Sequence, residues 1–279
     1  MNRYKNLRFP GFRHKAVTLS YDDGTIYDER LVKILDANGM KCTFNLNSGC
    51  FATDNTYQRM TKEQVLALFS NSPHEVAVHG KNHYDLTSLA PAVVADEILN
   101  DRIALEEMFG KRIAGMAYSY GTYNDSVVET LRQCGIEYAR ITAATEDFAL
   151  PRDWLRMPTT CHHKNPRLME LARTFVETNP SVKRACFPKL FYLWGHSYEF
   201  HYADNWNVIE EFAEYIGNRD DIWYATNGEI YDYIQAYNSL QYSADGHIIH
   251  NPTATDVCLY YYLNIEEDIL VKAGETIKL

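Results

Sequence analysis

Disulfide pairing, a membrane span and a nucleic-acid surface are all poorly provided for in this sequence. Its six cysteines (Cys42, Cys50, Cys134, Cys161, Cys186 and Cys258) include no CxxC pair and no dense framework. In a chain of 279 residues they read as reduced, mostly packed thiols. No run approaches the ~18 apolar residues that a membrane helix needs. The opening Met1-Asn2-Arg3-Tyr4-Lys5-Asn6-Leu7-Arg8 is positive but lacks the apolar stretch of a signal peptide. The expectation is a soluble, cytoplasmic protein, although a secreted chain trimmed of its leader would read the same. Basic runs are also missing. The 27 Lys and Arg stand against 37 Asp and Glu, a net charge of −10, which disfavours nucleic-acid backbones and anionic membranes. No repeat of ~20–50 residues is visible. With 46% hydrophobic and 23% charged residues, disorder is excluded and a full core is available.

What is present is alternation. Ala16–Tyr21, Lys41–Leu46, Glu75–Val78, Ile113–Tyr120, Ile136–Ile141, Leu190–Trp194 and Asp221–Ala225 read as strands. Between them lie segments of helical period. Tyr27–Asn38 stops at Gly39, and Thr61 with Gln64 forms a capping box. Ala95, Ile98, Leu105 and Phe109 share one face of a long helix; Ser126–Cys134, Arg167–Glu177 and Trp206–Gly217 follow. Seven βα units predict an α/β fold with a parallel sheet, either a barrel or a doubly wound sheet. Thr142–Asn165, with two prolines, reads as a functional loop because of its length. From about Ser243 the pattern changes: Val257–Leu263, Ile269–Val271 and Thr276–Leu279 predict a small C-terminal antiparallel β appendage. The expected division is residues 1–242 and 243–279.

Polar residues with catalytic potential gather at the carboxyl ends of these strands, where the βα loops of a parallel architecture converge. Tyr21-Asp22-Asp23-Gly24 sets two carboxylates side by side. Both reach one site only if the chain bends, which Gly24 permits. The same run also suits a helix-capping surface turn. His79-Gly80-Lys81-Asn82-His83 spaces two imidazoles four apart, on one side of a helical turn. Such a pair also arises by coincidence. With Asp23 the two complete an Asp-His-His set that leaves a coordination position for water and suits Zn²⁺, with Co²⁺, Ni²⁺ or Mn²⁺ as alternatives. Gly121, in the run Gly115–Asp125, allows close backbone approach to a ligand, and Asn124 reads as a helix cap. His196, in Leu193-Trp194-Gly195-His196-Ser197, is a third strand-end imidazole, or a structural one. Asp85 reads either as a partner of a ligand histidine or as a cap. Cys161-His162-His163 reads as exposed loop histidines or a second metal cluster.

In their order along the chain these elements resemble the polysaccharide deacetylase family, the NodB-homology domain of carbohydrate esterase family four, over residues 14–235. The resemblance implies a distorted (β/α) barrel of about seven strands. It implies that Asp22 is the catalytic base, that Asp23, His79 and His83 bind the metal, and that the Tyr120 amide helps hold the oxyanion. Asp153-Trp154-Leu155-Arg156 resembles the motif that walls the groove, and His196 matches the general acid. Two positions depart from the pattern. Ala117 and Tyr118 stand where the family has Arg then Pro, and that Arg orients the base; Arg156 is the candidate substitute. Gly80 stands where Ser or Thr is usual.

The implied activity is metal-dependent hydrolysis of an acetyl group on an N-acetylated (or O-acetylated) carbohydrate by a metal-bound water. Asp22 takes a proton and His196 protonates the departing amine. Trp154 and Trp194 are the candidate sugar-stacking residues. The alternatives are a cyclic amide or imide hydrolase of the allantoinase kind, favoured by a cytoplasmic address, and a carbohydrate-binding protein with weakened catalysis.

Overall fold

The apolar runs become parallel strands. The computed structural model of the chain describes residues 6–52, 57–178, 187–261 and 267–279. A short β1 (Leu7–Arg8) precedes β2 (Lys15–Asp22), α1 (Asp28–Ala37), β3 (Cys42–Leu46), α2 (Lys62–Phe69) and β4 (Glu75–Val78). Then come α3 (Pro91–Phe109), β5 (Gly115–Ala117), α4 (Asp125–Gln133) and β6 (Tyr138–Ala144). The series continues through β7 (Met157–Thr159), β8 (Cys161–His162), α5 (Leu168–Glu177), β9 (Lys189–Gly195) and α6 (Ser197–Tyr202). It ends with α7 (Asn207–Ile216), β10 (Ile222–Tyr224) and α8 (Asn227–Asn238). The predicted capping box is in place at α2, where Thr61 accepts from the Gln64 N–H and Gln64 returns the bond. An unforeseen one, Thr226 with Glu229, starts α8.

The sheet order is β7-β6-β5-β4-β3-β2-β9-β8, all parallel. Only Thr160 separates β7 from β8, so the stretch 157–162 lies between β6 and β9 and closes the ring. The Thr160 N–H donates to the Tyr192 carbonyl, and the Glu146 N–H donates to the Thr160 carbonyl. This is a distorted barrel, and its closing strand comes from the segment read as a loop. The distortion is visible at β2, which is flanked by β10 along Lys15–Val17 and by β3 along Leu19–Asp22.

All eight residues of β2 are buried, and they alternate in character. Val17, Leu19 and Tyr21 join the core beneath the helices, where each fully buried aliphatic or aromatic side chain contributes ~1.5–3 kcal/mol. Thr18, Ser20 and Asp22 point to the other face, into the barrel. A polar interior is stable only when its groups are bonded. Asn45 Nδ2 donates to Ser20 Oγ and Asp22 Oδ1, both at 2.8 Å. At the floor, Thr18 Oγ1 donates to Asn227 Oδ1, and Asn227 Nδ2 donates to Tyr192 Oη. The start of α8 thereby plugs the amino end of the barrel and leaves the carboxyl end open.

The C-terminal strands are antiparallel. β1 pairs with β13 (Val257–Tyr261), which pairs with β14 (Glu267–Val271); β11 (Gln241–Tyr242), β12 (Ile248–His250) and β15 (Thr276–Lys278) form a second small sheet. The expected strand at Val257–Leu263 is seen as far as Tyr261, and its last two residues lie outside the described ones. Cys42, Cys134, Cys161 and Cys258 are free thiols; Cys186 lies outside the described residues. No described helix is long and apolar enough to cross a membrane.

Candidate active site

The carboxyl end of the barrel holds a cavity of about 470 Å³ lined by Asp22, Asp23, His79, His83 and His196. Each arrives there for a local reason. Asp22 is the last residue of β2 and faces the interior. Asp23 and Gly24 then adopt positive φ, +83° and +62°, which turns the second carboxylate into the same space. The φ of +62° favours glycine at position 24, where a Cβ would also crowd Leu46 Cδ2 at 2.8 Å.

The two histidines do not ride on a helical turn. They follow β4 in a bend made by Gly80 (φ +79°) and His83 (φ +56°), and that bend brings the rings to 4.9 Å between centroids. His79 Nδ1 bonds the Ala117 carbonyl at 2.8 Å, which leaves Nε2 facing the cavity. Helix α3 braces the bend. Asp101 accepts from the His79 N–H (3.1 Å) and the Ser48 N–H (2.7 Å), and Glu97 accepts from the Asn82 N–H (2.9 Å).

Arg140 holds Asp22 with a hydrogen-bonded ion pair in which both side chains are buried. Burial alone would raise the Asp22 carboxyl, but Arg140, with His79 and His196, holds it down to about 2. Arg140 replaces the arginine missing from the third motif. It is the register partner of Ala117 on the adjoining strand, so the guanidinium has moved one strand over. Arg156 does not do this work; it pairs at the surface with Asp125 and Asp153. Arg59 fixes the second carboxylate, bonding Asp23 Oδ1 and the Asp23 carbonyl, each at 2.8 Å.

His83 Nε2 lies 3.6 Å from Asp23 Oδ1, and His79 Nε2 lies 3.9 Å from Asp22 Oδ2. His196 Nε2 stands 3.9 Å from Asp22 Oδ2 and 4.0 Å from Asp23 Oδ2. Burial lowers His79, and burial with His79 beside it takes His83 down to about 4. Both rings are therefore neutral near pH 7, as metal ligands must be. One ligand atom from each of Asp23, His79 and His83 lies within 4.8 Å of the others. The donor set fits one divalent cation. His196 differs. Burial opposes its charge, but Glu199 and the two aspartates raise it above the ordinary histidine value.

Tyr120 is exposed and sits in a left-handed conformation (φ +57°), its ring 4.5 Å from that of His83. Trp194 lines the cavity, with the Arg140 guanidinium 4.4 Å from its ring centre. Trp154 is elsewhere: it packs edge-on against Tyr231, and the cavity lining does not include it. Asp85 is a cap, accepting from Thr87 and Thr122 (2.7–3.0 Å). Asn124 caps α4 through the Val127 N–H. His163, expected to be exposed, is buried, and His162 is half-buried. Sequence reading missed Arg59, Asn45, Asp101 and Glu199. Arg140 had left a signal, a charge at an interior position of an otherwise apolar strand.

Barrel and site together define a class, a parallel α/β barrel with an Asp-Asp-Gly corner and paired histidines at its open end. Comparison with known proteins gives that class a name. The family described as polysaccharide deacetylase matches residues 11–139. A protein of Arthroderma benhamiae named probable peptidoglycan-N-acetylglucosamine deacetylase is 28% identical over 135 residues, 48% of this chain and 30% of that one. A chitin deacetylase of Pestalotiopsis is 27% identical over 131 residues, 47% of this chain and 42% of its own. The matches thus cover less than half the length of these relatives. Among solved structures, a Mycobacterium smegmatis protein assigned as a polysaccharide deacetylase superposes with a TM-score of 0.61 at 18% identity, covering 84% of this chain and 94% of its own. A family 4 carbohydrate esterase from Streptomyces lividans, solved with acetate, gives 0.51 at 16% identity over 76% and 92%. At such identities the structural likeness is one of fold. Over residues 11–139 the chain thus resembles the polysaccharide deacetylases, and the resemblance read from its motifs is borne out.

Proposed function

We propose that the protein hydrolyses an acetyl group from an N-acetylated (or O-acetylated) carbohydrate, with one divalent cation, zinc by preference, at Asp23, His79 and His83. One observation carries this reading: a carboxylate proton acceptor, an Asp-His-His donor set with both imidazoles neutral, and a proton-holding histidine face one cavity, with His83–Asp23, His79–Asp22 and His196–aspartate contacts of 3.6–4.0 Å. A bound cation would supply Lewis-acid polarisation of the acetyl carbonyl and acidify water.

The remaining work belongs to the chain. Asp22, kept ionised by Arg140, accepts the proton of the attacking water. His196 holds a proton at Nε2 for the departing nitrogen, a step worth ~10²–10⁴-fold. The Tyr120 amide is assigned to the developing oxyanion, where one donor is typically worth ~3 kcal/mol. Trp194 and Tyr120 offer aromatic surface to a sugar ring.

The test is acetate release from acetylated sugar oligomers by metal-loaded and chelated protein. His79→Ala is expected to lose both metal and activity. His196→Ala is expected to keep the metal and turn over at least ~10²-fold more slowly. Full activity after chelation, or ring opening of allantoin or succinimide without acetate release, would overturn the reading.

A further inference from the structure

A second cluster of ionisable groups lies beside the cavity. Glu199, on α6, directs Oε2 toward three imidazole nitrogens: His162 Nε2 at 3.2 Å, His163 Nε2 at 3.1 Å and His196 Nδ1 at 3.5 Å. Its other oxygen takes Lys164 Nζ at 2.6 Å. His163 Nε2, His196 Nδ1 and Glu199 Oε2 are closed off from solvent, and among the described residues none of the three makes a hydrogen bond of standard geometry, so the short distances among them are what pairs them.

The spacing of His162, His163 and Glu199 alone would admit a cation. The placement of protons argues against one. The Lys164 backbone N–H points at His162 Nδ1 (3.1 Å), so the neutral ring carries its own proton on Nε2 and has no lone pair to give there. The Lys164 ammonium on the same carboxylate further repels a metal ion. Tyr21 Oη, 3.3 Å from His163 Nδ1, lets that ring also turn an N–H toward Glu199. The carboxylate is thus surrounded by N–H groups, and His196 is its link to the cavity.

We propose that Glu199 is the positioning residue of His196, engaging Nδ1 so that the proton on Nε2 is presented to the leaving group, with His162, His163 and Lys164 fixing the carboxylate in turn. The packing agrees. The Trp194 ring packs against both imidazoles, 4.5 Å from that of His162 and 5.8 Å from that of His196, with the two imidazoles 6.2 Å apart. Gly195 leaves the room that His163 occupies, since a Cβ there would fall 2.0 Å from His163 Nδ1. This inference rests on the deacetylase reading for its chemistry and on geometry for the pairing.

The experiment exploits the leaving group. An amide nitrogen must be protonated to depart, whereas 4-nitrophenolate leaves unaided. Glu199→Gln is expected to lower kcat for acetate release from an N-acetylated sugar by about 10- to 100-fold, with KM within about twofold. Loss on 4-nitrophenyl acetate should be at least about tenfold smaller, zinc content should be unchanged, and Glu199→Asp should recover part of the amide activity. Equal loss on both substrates, no loss on either, or one zinc fewer per chain than wild type would overturn the proposal. ¹H–¹⁵N spectra of the wild type should show a protected His196 Nδ1–H that Glu199→Gln loses. That readout holds even if the wild type releases no acetate, in which case the deacetylase reading fails and the pairing is judged alone.

Discussion

Replacing Arg140 with methionine removes a guanidinium of similar reach and leaves Asp22 behind. Both groups are nearly inaccessible, at 1% and 2% exposure. Two arguments bound the cost. The native Asp22 carboxyl is held at about 2 against an ordinary 3.8, and at ~1.4 kcal/mol per pH unit the difference is worth about 2–3 kcal/mol. Stranding a buried charge by deleting its partner costs about 3–5 kcal/mol. A loss of roughly 2–5 kcal/mol is therefore expected for Arg140→Met at pH 7, measured by urea unfolding in the presence of a chelator. The sign follows from the depressed carboxyl. Its contribution is complete above the unfolded value near 4 and disappears as pH falls through about 2, so the gap between wild type and variant should close in acid. Asp22→Asn and the double variant complete a cycle. Because a neutral amide at that position needs no countercharge, Arg140→Met should cost much less in the Asp22→Asn background, giving a coupling of about 2 kcal/mol or more. Additivity within ~0.5 kcal/mol, or a gap that persists unchanged to low pH, would refute the reasoning.

Asp28 titrates in the opposite sense. Burial, with repulsion from Asp23 and Asp22, pushes it up to about 8 despite a bond from Ser197 Oγ, and its Oδ2 has no partner among the described residues. The folded state holds a proton that the unfolded state releases near 4, so stability falls as pH rises from there through 8. Asp28→Asn should melt higher than wild type at pH 8, with the difference vanishing toward pH 4; a difference growing toward acid would show the native carboxyl to be charged. Trp154→Ala should cost about 1–3 kcal/mol in unfolding, from lost packing against Tyr231. Its KM for an acetylated sugar should stay within twofold, and a tenfold rise would return Trp154 to the groove.

The strands were legible because a buried parallel strand announces itself as a short, dense run of β-branched and aliphatic residues. The closing strand was not, because Pro158 stands in its middle. A proline cannot donate to a ladder and demotes a run to loop. Here Met157 and Thr159 pair with Arg140 and Ala144 across an irregular register, so the missing donor falls where the ladder is already broken. The histidine pair was found by its spacing and misplaced by it, since i, i+4 suggests a helix. Two positive-φ residues achieve the convergence instead. Glu199 escaped notice for another reason: three residues after His196 it reads as the first turn of a helix, and its partners come from a segment more than 30 positions earlier.

Arg140 shows what a motif does and does not encode. The requirement is a cation against Asp22 inside the barrel, because an ionised carboxylate with no countercharge is too costly at that depth. A motif records one way of meeting it, from the end of β5. In this chain that position is Ala117, fully buried, and its carbonyl is occupied with His79 Nδ1. The charge comes from the paired position on β6, 118 residues from Asp22. An alanine at one member of a register pair leaves interior volume that the long side chain of the other member fills, with its guanidinium resting against Trp194. The two departures, an arginine absent from one strand and a charge present in the next, are thus one substitution distributed over two strands. Local pattern could read each half, and only the register joins them.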